Sequence, residues 1–283
     1  MVTNKDKKKM ISKLKKSPAY QIAYYDDDFM DEEYNRPVRL QLELLKPEMT
    51  FRKEKIYSTI VVFGGTRIIE PKEAEKELKK IQAKLDKNPT DPDLRRKYKI
   101  AQSVVQKSPF YEEARKFGKL VSAEGQFNDG NKYVIVTGGG PGIMEAANRG
   151  AHDIGAKSIG LNITLPMEQE PNPYITPELN LQFHYFAIRK MHFLLRAKAL
   201  VAFPGGYGTM DELFEALTLV QTKKVKPLPI VLFDEKYWRN LVNFDYLVEQ
   251  GTIAEEDIEL FVYADKAEDA WNYIKYYYES KEV

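Results

Sequence analysis

The chain has 283 residues, with 43 basic and 42 acidic side chains and therefore a formal net charge of +1. This length fits one or two domains, and the near-neutral charge gives no global argument for binding nucleic acid or an anionic membrane. The chain contains no cysteine and three histidines. This composition excludes disulfides, thiolate metal sites and cysteine nucleophiles, and it leaves little material for a histidine metal site.

The first fifty residues form a segment of mixed charge. Lysines dominate between Lys5 and Lys16, and an acidic block follows at residues 26–33. We interpret residues 1–50 as a solvated extension, in which residues 37–45 predict a short helix. A nucleic-acid or partner-binding arm is the alternative, but the acidic block would repel phosphates. The basic N-terminal segment lacks the apolar core of a secretory signal. No apolar run reaches the roughly 20 residues that span a bilayer. We therefore expect a cytoplasmic protein without membrane contact.

Residues 51–283 alternate between short apolar runs and helical patterns, which predicts βαβ units and a parallel sheet covered on both faces. The predicted strands are residues 58–63, 133–137, 158–163, 199–203, 229–233 and 260–263. The predicted helices that follow them are residues 111–126, 143–155, 187–198, 208–222, 237–250 and 267–279. Residues 70–108 are rich in Lys, Glu, Ala and Leu and are broken by Pro89 and Pro92. They predict a pair of helices inserted after the first strand.

Three glycine turns, at residues 64–67, 138–142 and 204–209, each follow a predicted strand. In an open parallel sheet such turns meet at the carboxyl edge, where ligands bind. The second turn matches neither a dinucleotide fingerprint nor a Walker phosphate loop. The first two turns supply further candidate substrate contacts, which are Gly65, Thr66, Gly139, Gly140 and, in the helix after the second turn, Glu145.

The third turn is the most informative because it combines an anion site with carboxylates. The backbone N–H groups of the turn, at the start of a helix, predict a phosphate site. The candidate residues are Gly205, Gly206, Gly208 and Thr209. Glu212 follows on the same helix, where an acidic residue ordinarily interacts with the helix dipole. A carboxylate beside a phosphate would repel it, unless the carboxylate faces another part of the substrate.

A basic pair, Arg189-Lys190, precedes the third turn. Adjacent residues on a helix point about 100° apart, so only one of the two can readily face a cleft. The alternative for Arg189 is a surface ion pair. His184 and His192 flank this segment, and we interpret them as structural or surface residues because no partner at a useful spacing supports a metal site.

These motifs together resemble the Lonely Guy (LOG) family of nucleoside 5′-monophosphate phosphoribohydrolases. Residues 204–212, Pro-Gly-Gly-Tyr-Gly-Thr-Met-Asp-Glu, match the family motif P-G-G-x-G-T-x-x-E, and Arg189-Lys190 match its Arg-Lys pair. Residues 138–146, Gly-Gly-Gly-Pro-Gly-Ile-Met-Glu-Ala, resemble the region of its glycine motif G-G-G-x-x-G-[LI]-M, with one residue fewer before the last glycine. The resemblance covers roughly residues 58–234, and the motifs are specific because they occur together and in this order.

The resemblance implies a Rossmann-like doubly wound fold and a homodimer or higher homo-oligomer with the site near the interface. It also implies hydrolysis of adenine-type nucleotides without metal or cofactor. The family's older label, "possible lysine decarboxylase", finds no support, because the sequence shows no motif for a Schiff-base lysine holding pyridoxal phosphate. The chain departs from short family members in residues 1–50, in the insertion 70–108 and at Phe193, where those members usually carry Met.

The resulting hypothesis is cleavage of the N-glycosidic bond of AMP or a cytokinin riboside 5′-monophosphate, giving free base and ribose 5-phosphate. Glu212 would stabilise the positive sugar and activate water, Arg189 would hold substrate or orient Glu212, and Lys190 would contact substrate. One alternative is a nucleotide or cofactor carrier or sensor on the same fold, without turnover. Another is an interaction protein that recruits a partner through the extension or the insertion.

Overall fold

The computed structural model describes residues 2–127, 130–166 and 170–280. By its internal contacts the chain divides into two compact units, Met1–Lys46 and Pro47–Val283. The first unit contains helices α1 (Asn4–Lys15) and α2 (Asp27–Asp31). Thr3 caps α1 through a reciprocal pair of hydrogen bonds with Asp6, and none of the residues of α1 is buried. Among the described residues, no helix is long and apolar enough to cross a membrane.

The second unit is built on a parallel sheet of seven strands in the order β4-β3-β2-β1-β5-β6-β7. The strands are β1 (Thr59–Phe63), β2 (Val134–Thr137), β3 (Ser158–Ile163), β4 (Asn180–Phe183), β5 (Ala197–Ala202), β6 (Ile230–Phe233) and β7 (Val262–Ala264). The strand order runs outward from β1 in one direction and from β5 in the other. This is a doubly wound, Rossmann-like arrangement, and it confirms the predicted fold class.

The central strands are buried because both faces of the sheet are covered. Along β1, Ile60 and Val62 contribute to one hydrophobic core, whereas Val61 and Phe63 contribute to the other. Successive side chains of a strand point to opposite faces, so a run of apolar residues without polar alternation is the pattern of a strand between two helical layers.

Helices cover the two faces and form the insertion. Those of the second unit and its border are α3 (Arg36–Lys53), α4 (Pro71–Lys87), α5 (Pro92–Lys107), α6 (Pro109–Phe127), α7 (Ile143–His152), α8 (Phe186–Leu195), α9 (Tyr207–Gln221), α10 (Glu235–Leu241), α11 (Phe244–Glu249) and α12 (Ala267–Glu279). The two helices predicted after the first strand are present as α4 and α5, with Asp91 capping the start of α5.

Three predictions about elements were wrong or incomplete. Strand β4 was not predicted, because its four residues alternate between exposed and buried and its polar positions hide the apolar signal. Residues 237–250 form two helices rather than one, since Asn243 caps a new helix by accepting a hydrogen bond from the Tyr246 N–H. The helix predicted at residues 37–45 continues through Pro47 to Lys53.

Candidate functional site

A cleft of about 250 Å³ lies at the carboxyl ends of the central strands. Turns after β1, β2 and β5 contribute to its lining, as does the start of α9. Strands β1 and β5 are neighbours at the point where the strand order reverses. In doubly wound sheets the turns on either side of this point diverge and leave a crevice, and that is where ligands bind. The sheet topology therefore positions the site predicted from the glycine turns.

The turn at the start of α9 is the segment for which the sequence predicts an anion cradle, and it is called the cradle below. Gly206 is the N-terminal capping residue, and no side chain caps this end of the helix. The first N–H groups of a helix lack partners within the helix, so they remain available to a ligand. A side chain on Gly205 would lie 2.1 Å from the Thr209 hydroxyl oxygen, which shows why the turn requires glycine there. Of the predicted cradle residues, Gly206, Gly208 and Thr209 line the cleft.

Glu212 lies beside the cradle because it follows Thr209 by three residues on α9. Residues at this spacing share one face of a helix, and both side chains are buried where they line the cleft. Burial raises the pKa of Glu212 to about 7, even though the nearby charges of Lys190 and Arg189 act in the opposite direction. Its carboxylate forms no hydrogen bond or salt bridge within residues 2–127, 130–166 and 170–280. The group is held in the cleft close to its midpoint of ionisation at neutral pH.

Arg189, on α8, also lines the cleft. Its Nε–H donates to the Leu161 carbonyl at 2.7 Å, and an Nη2–H donates to the Gly138 carbonyl at 3.4 Å. The guanidinium is thereby tied to the carboxyl ends of two strands, β3 and β2. A side chain on Gly138 would lie 2.6 Å from Arg189 Nη2, so a larger residue there would displace the guanidinium from this position. Arg189 forms no hydrogen bond or salt bridge with Glu212, which acts on it through charge alone.

Lys190, for which a substrate contact is predicted, is not among the residues that line the cleft. Its ammonium lies 2.9 Å from a carboxylate oxygen of Asp211 and 2.8 Å from one of Glu215. Asp211 and Glu215 are four residues apart on α9, so one lysine can reach both. The 100° offset between neighbouring helical residues explains the outcome: Arg189 faces the cleft and Lys190 joins α8 to α9.

The second glycine turn supplies structure more than ligand contacts. The Gly139 N–H donates to the Thr137 hydroxyl at 3.0 Å, so it is already engaged. The Asn172 side-chain amide donates to the carbonyls of both Gly139 and Gly140, at 3.2 and 3.1 Å. Neither glycine is among the residues that line the cleft. Asn172 was not predicted, since a single asparagine in a loop carries no sequence signal for this role.

Glu145 is likewise placed away from the cleft. Its carboxylate accepts a hydrogen bond from the Tyr111 hydroxyl at 2.8 Å, and that hydroxyl also accepts one from Arg149 at 3.3 Å. The structure therefore places Glu145 in a link between α6 and α7. The predicted contacts at Gly65 and Thr66 do lie on the cleft, although the Gly65 N–H donates to the Pro204 carbonyl at 2.8 Å.

Several residues of the site were not predicted from the sequence. Phe186 lines the cleft one turn before Arg189 on α8, and Met144 lies near the Gly138 turn. Phe186 could have been found from its three-residue spacing to Arg189. The Tyr237 hydroxyl donates to the Gly205 carbonyl at 2.5 Å and so supports the cradle from behind. Nothing in the sequence links Tyr237 to this turn, because the two are distant along the chain.

The histidines of this region are structural, as predicted for His192. Its ring is buried and contacts the rings of Phe183 and Phe51, with centroids at 5.6 and 6.5 Å. His184 stacks edge-on against Tyr185. In the part of the chain that the structure describes, no group of three or more His, Asp or Glu side chains is arranged to hold a metal ion.

Comparison with known proteins agrees with these motifs. A family model described as "Possible lysine decarboxylase" matches residues 144–274. The probable cytokinin riboside 5′-monophosphate phosphoribohydrolase LOG6 of Arabidopsis thaliana is 32% identical over 142 residues, covering 49% of this chain and 69% of that protein. The chain belongs to the LOG family. The named relatives in this family are phosphoribohydrolases, so the chain is related to enzymes that act on nucleotides.

Other relatives show how much of the chain is shared. The probable cytokinin riboside 5′-monophosphate phosphoribohydrolase LOG4 of Oryza sativa subsp. japonica is 32% identical over 47% of this chain. The chain spans 58% of that relative's length. A molybdenum cofactor binding protein from Rippkaea orientalis is 22% identical, with a TM-score of 0.38 over 59% of this chain and 86% of that one. This last likeness is too distant for its site to be compared with the present one.

Proposed function

We propose that the protein hydrolyses the N-glycosidic bond of a purine nucleoside 5′-monophosphate, with AMP or a cytokinin riboside 5′-monophosphate as substrate. The observation that carries this proposal is a buried carboxylate, Glu212, with a raised pKa beside an uncapped helix start. The cradle binds the 5′-phosphate, and Glu212 faces the sugar. The names of the relatives support the choice of substrate class.

The chemistry follows from where charge develops. Breaking the bond between base and sugar passes through a transition state with positive charge on the sugar. The Glu212 carboxylate stabilises that charge and takes a proton from the attacking water. Water supplies its oxygen to the sugar, the base leaves with the bonding electrons and acquires a proton, and the products are free base and ribose 5-phosphate. Arg189, fixed by two carbonyls, orients the substrate through its remaining N–H groups.

The exposed ring of Phe186 supports a purine as the leaving base. Phe186 is 51% exposed at the edge of the cleft, and Phe63 and Met144 add further apolar lining. A planar base stacks favourably on such a ring. The base therefore lies along the apolar wall, while the phosphate lies on the cradle at the opposite end of the ribose.

The test is to incubate the protein with a panel of nucleoside 5′-monophosphates and to separate the products by chromatography. We expect release of free base together with ribose 5-phosphate from AMP or from a cytokinin riboside 5′-monophosphate. Adenosine is the matched control, because it lacks the phosphate that the cradle binds, and its cleavage should be far slower. Tight binding of an intact nucleotide without any product would refute hydrolysis and favour a carrier or sensor.

We also propose that the protein works as a homo-oligomer, the dimer being the simplest case. Large apolar side chains are exposed around α8, among them Met191 at 46% and Leu195 at 54%. Exposed apolar side chains that cluster on a protein surface are typical of a protein contact. Light scattering coupled to size exclusion should give a mass at least twice the 32.8 kDa of the chain. A monomer mass at micromolar concentration would contradict the proposal.

A further inference from the structure

A second cavity, of about 420 Å³, lies behind the anion cradle. Its walls come from the loop after β1, the turn after β5, and helix α5 of the insertion, which contributes Ile100, Ser103, Val104 and Lys107. The cavity and the catalytic cleft share three lining residues, Gly65, Thr66 and Gly206. A ligand on the cradle therefore borders both spaces.

The two spaces differ in charge. The catalytic cleft is lined by two carboxylates, Asp211 and Glu212, and one guanidinium, Arg189. The second cavity is lined by two cations, Arg67 and Lys107, and its lining contains no carboxylate. Asp211 is paired with Lys190, but the Glu212 carboxylate has no such partner, so negative charge beyond the phosphate on the cradle is more favourable beside the two cations of the second cavity.

Lys107 is positioned for a ligand. Its ammonium donates to the Ser103 hydroxyl at 2.8 Å and lies 6.0 Å from the centre of the Tyr237 ring, both of which also line the cavity. Neither Lys107 nor Arg67 forms a salt bridge with any described residue. Lysines elsewhere on the insertion, such as Lys76 and Lys80, do pair with glutamates of their own helix. The charge of Lys107 is thus left uncompensated at the edge of the cavity.

We propose that this cavity is an anion subsite that takes a phosphoryl group next to the one on the cradle. The simplest occupant is the second phosphoryl group of a nucleoside 5′-diphosphate, which would extend past Gly206 toward Lys107 and Arg67. Tyr237 forms a neutral wall, because burial raises the pKa of its hydroxyl, which already donates to the Gly205 carbonyl. The inference rests on the proposed nucleotide site at the cradle and extends it through a helix of the insertion.

The experiment measures binding of AMP and ADP by calorimetry, in full-length protein carrying Glu212→Gln so that the ligands stay intact. We expect ADP to bind about tenfold more tightly than AMP, the effect of one added charge-assisted contact. Lys107→Met should abolish most of that preference, and Lys107→Arg should retain it. Lys99→Met is the matched control, because Lys99 is an exposed lysine of the same helix that does not line the cavity.

The second source of a phosphoryl group is a free phosphate ion, so inorganic phosphate is titrated into AMP-saturated protein. Binding of phosphate that depends on Lys107 supports the subsite with a free ion as its occupant. The subsite is refuted if AMP binds while ADP binds no better and phosphate is not taken up. If AMP itself does not bind, the proposed function fails, and titration of phosphate alone, with and without Lys107→Met, decides the subsite separately. Arg67→Met provides a second variant should Lys107→Met fold poorly.

Discussion

Replacing Glu212 with glutamine should remove activity and at the same time stabilise the protein. Glutamine keeps the size and shape of the side chain but can neither accept the proton of water nor neutralise a positive sugar. Loss of a general base typically lowers turnover about 10²–10⁴-fold. The substitution also removes a carboxylate that is only 7% exposed and whose ionised form is disfavoured by burial.

The size of the stabilisation follows from the pKa of Glu212. That pKa is about 7 in the folded protein, compared with an ordinary value of 4.5. A difference of this size corresponds to roughly 3 kcal/mol. Because the folded state binds the proton more tightly, the wild-type free energy of unfolding falls as the pH rises from about 4.5 to about 7 and then levels off. The glutamine side chain does not ionise and adds no such pH dependence. The free energy of unfolding of the variant should therefore exceed that of the wild type by as much as about 3 kcal/mol at pH 8 and by little at pH 4.

Urea unfolding of both proteins between pH 4 and pH 8 measures this difference, and a nucleotide hydrolysis assay on the same samples measures turnover. Glu215→Gln is the matched control, since Glu215 lies on the same helix but forms a salt bridge with Lys190. The free energy of unfolding of Glu215→Gln should be up to about 1 kcal/mol lower than that of the wild type, and it should not exceed the wild-type value at pH 8. Unchanged turnover in Glu212→Gln would refute the catalytic role, and a stability difference independent of pH would refute the burial argument.

Three further substitutions test how the site is held together. Gly138→Ala should displace the Arg189 guanidinium, since the new methyl group would lie 2.6 Å from it. In a steady-state assay kcat should then fall about 10–100-fold, and an unchanged kcat would show that Arg189 adapts to the methyl group. Lys190→Met removes a positive charge that lowers the pKa of Glu212, so the acidic limb of the rate–pH profile should move to higher pH. A profile that does not move would contradict the effect of the Lys190 charge on Glu212. Tyr237→Phe removes the hydrogen bond from the Tyr237 hydroxyl that supports the cradle. The KM for the nucleotide should rise about two- to tenfold, with a smaller change in kcat. A KM equal to that of the wild type would exclude a positioning role for Tyr237.

The sequence carries the fold class and the insertion because these depend on local patterns. Short apolar strands followed by helices fit only a covered parallel sheet, and the break at Pro89 and Pro92 separates two helices of the insertion. Strand β4 escaped prediction because a four-residue edge strand owes its existence to pairing with β3, a contact about twenty residues away along the chain.

The sequence by itself also determined the arrangement of residues at the third turn. Gly206, Thr209 and Glu212 are close along one helix, so their spacing alone places the proposed anion cradle beside a carboxylate. Only the tertiary structure decided which of the other candidates reach that place. The direction of a side chain depends on the neighbours that satisfy it: Lys190 turns to two carboxylates of α9, and Glu145 turns to Tyr111. Those neighbours lie between twenty and forty residues away along the chain, at distances over which spacing in sequence fixes no direction in space.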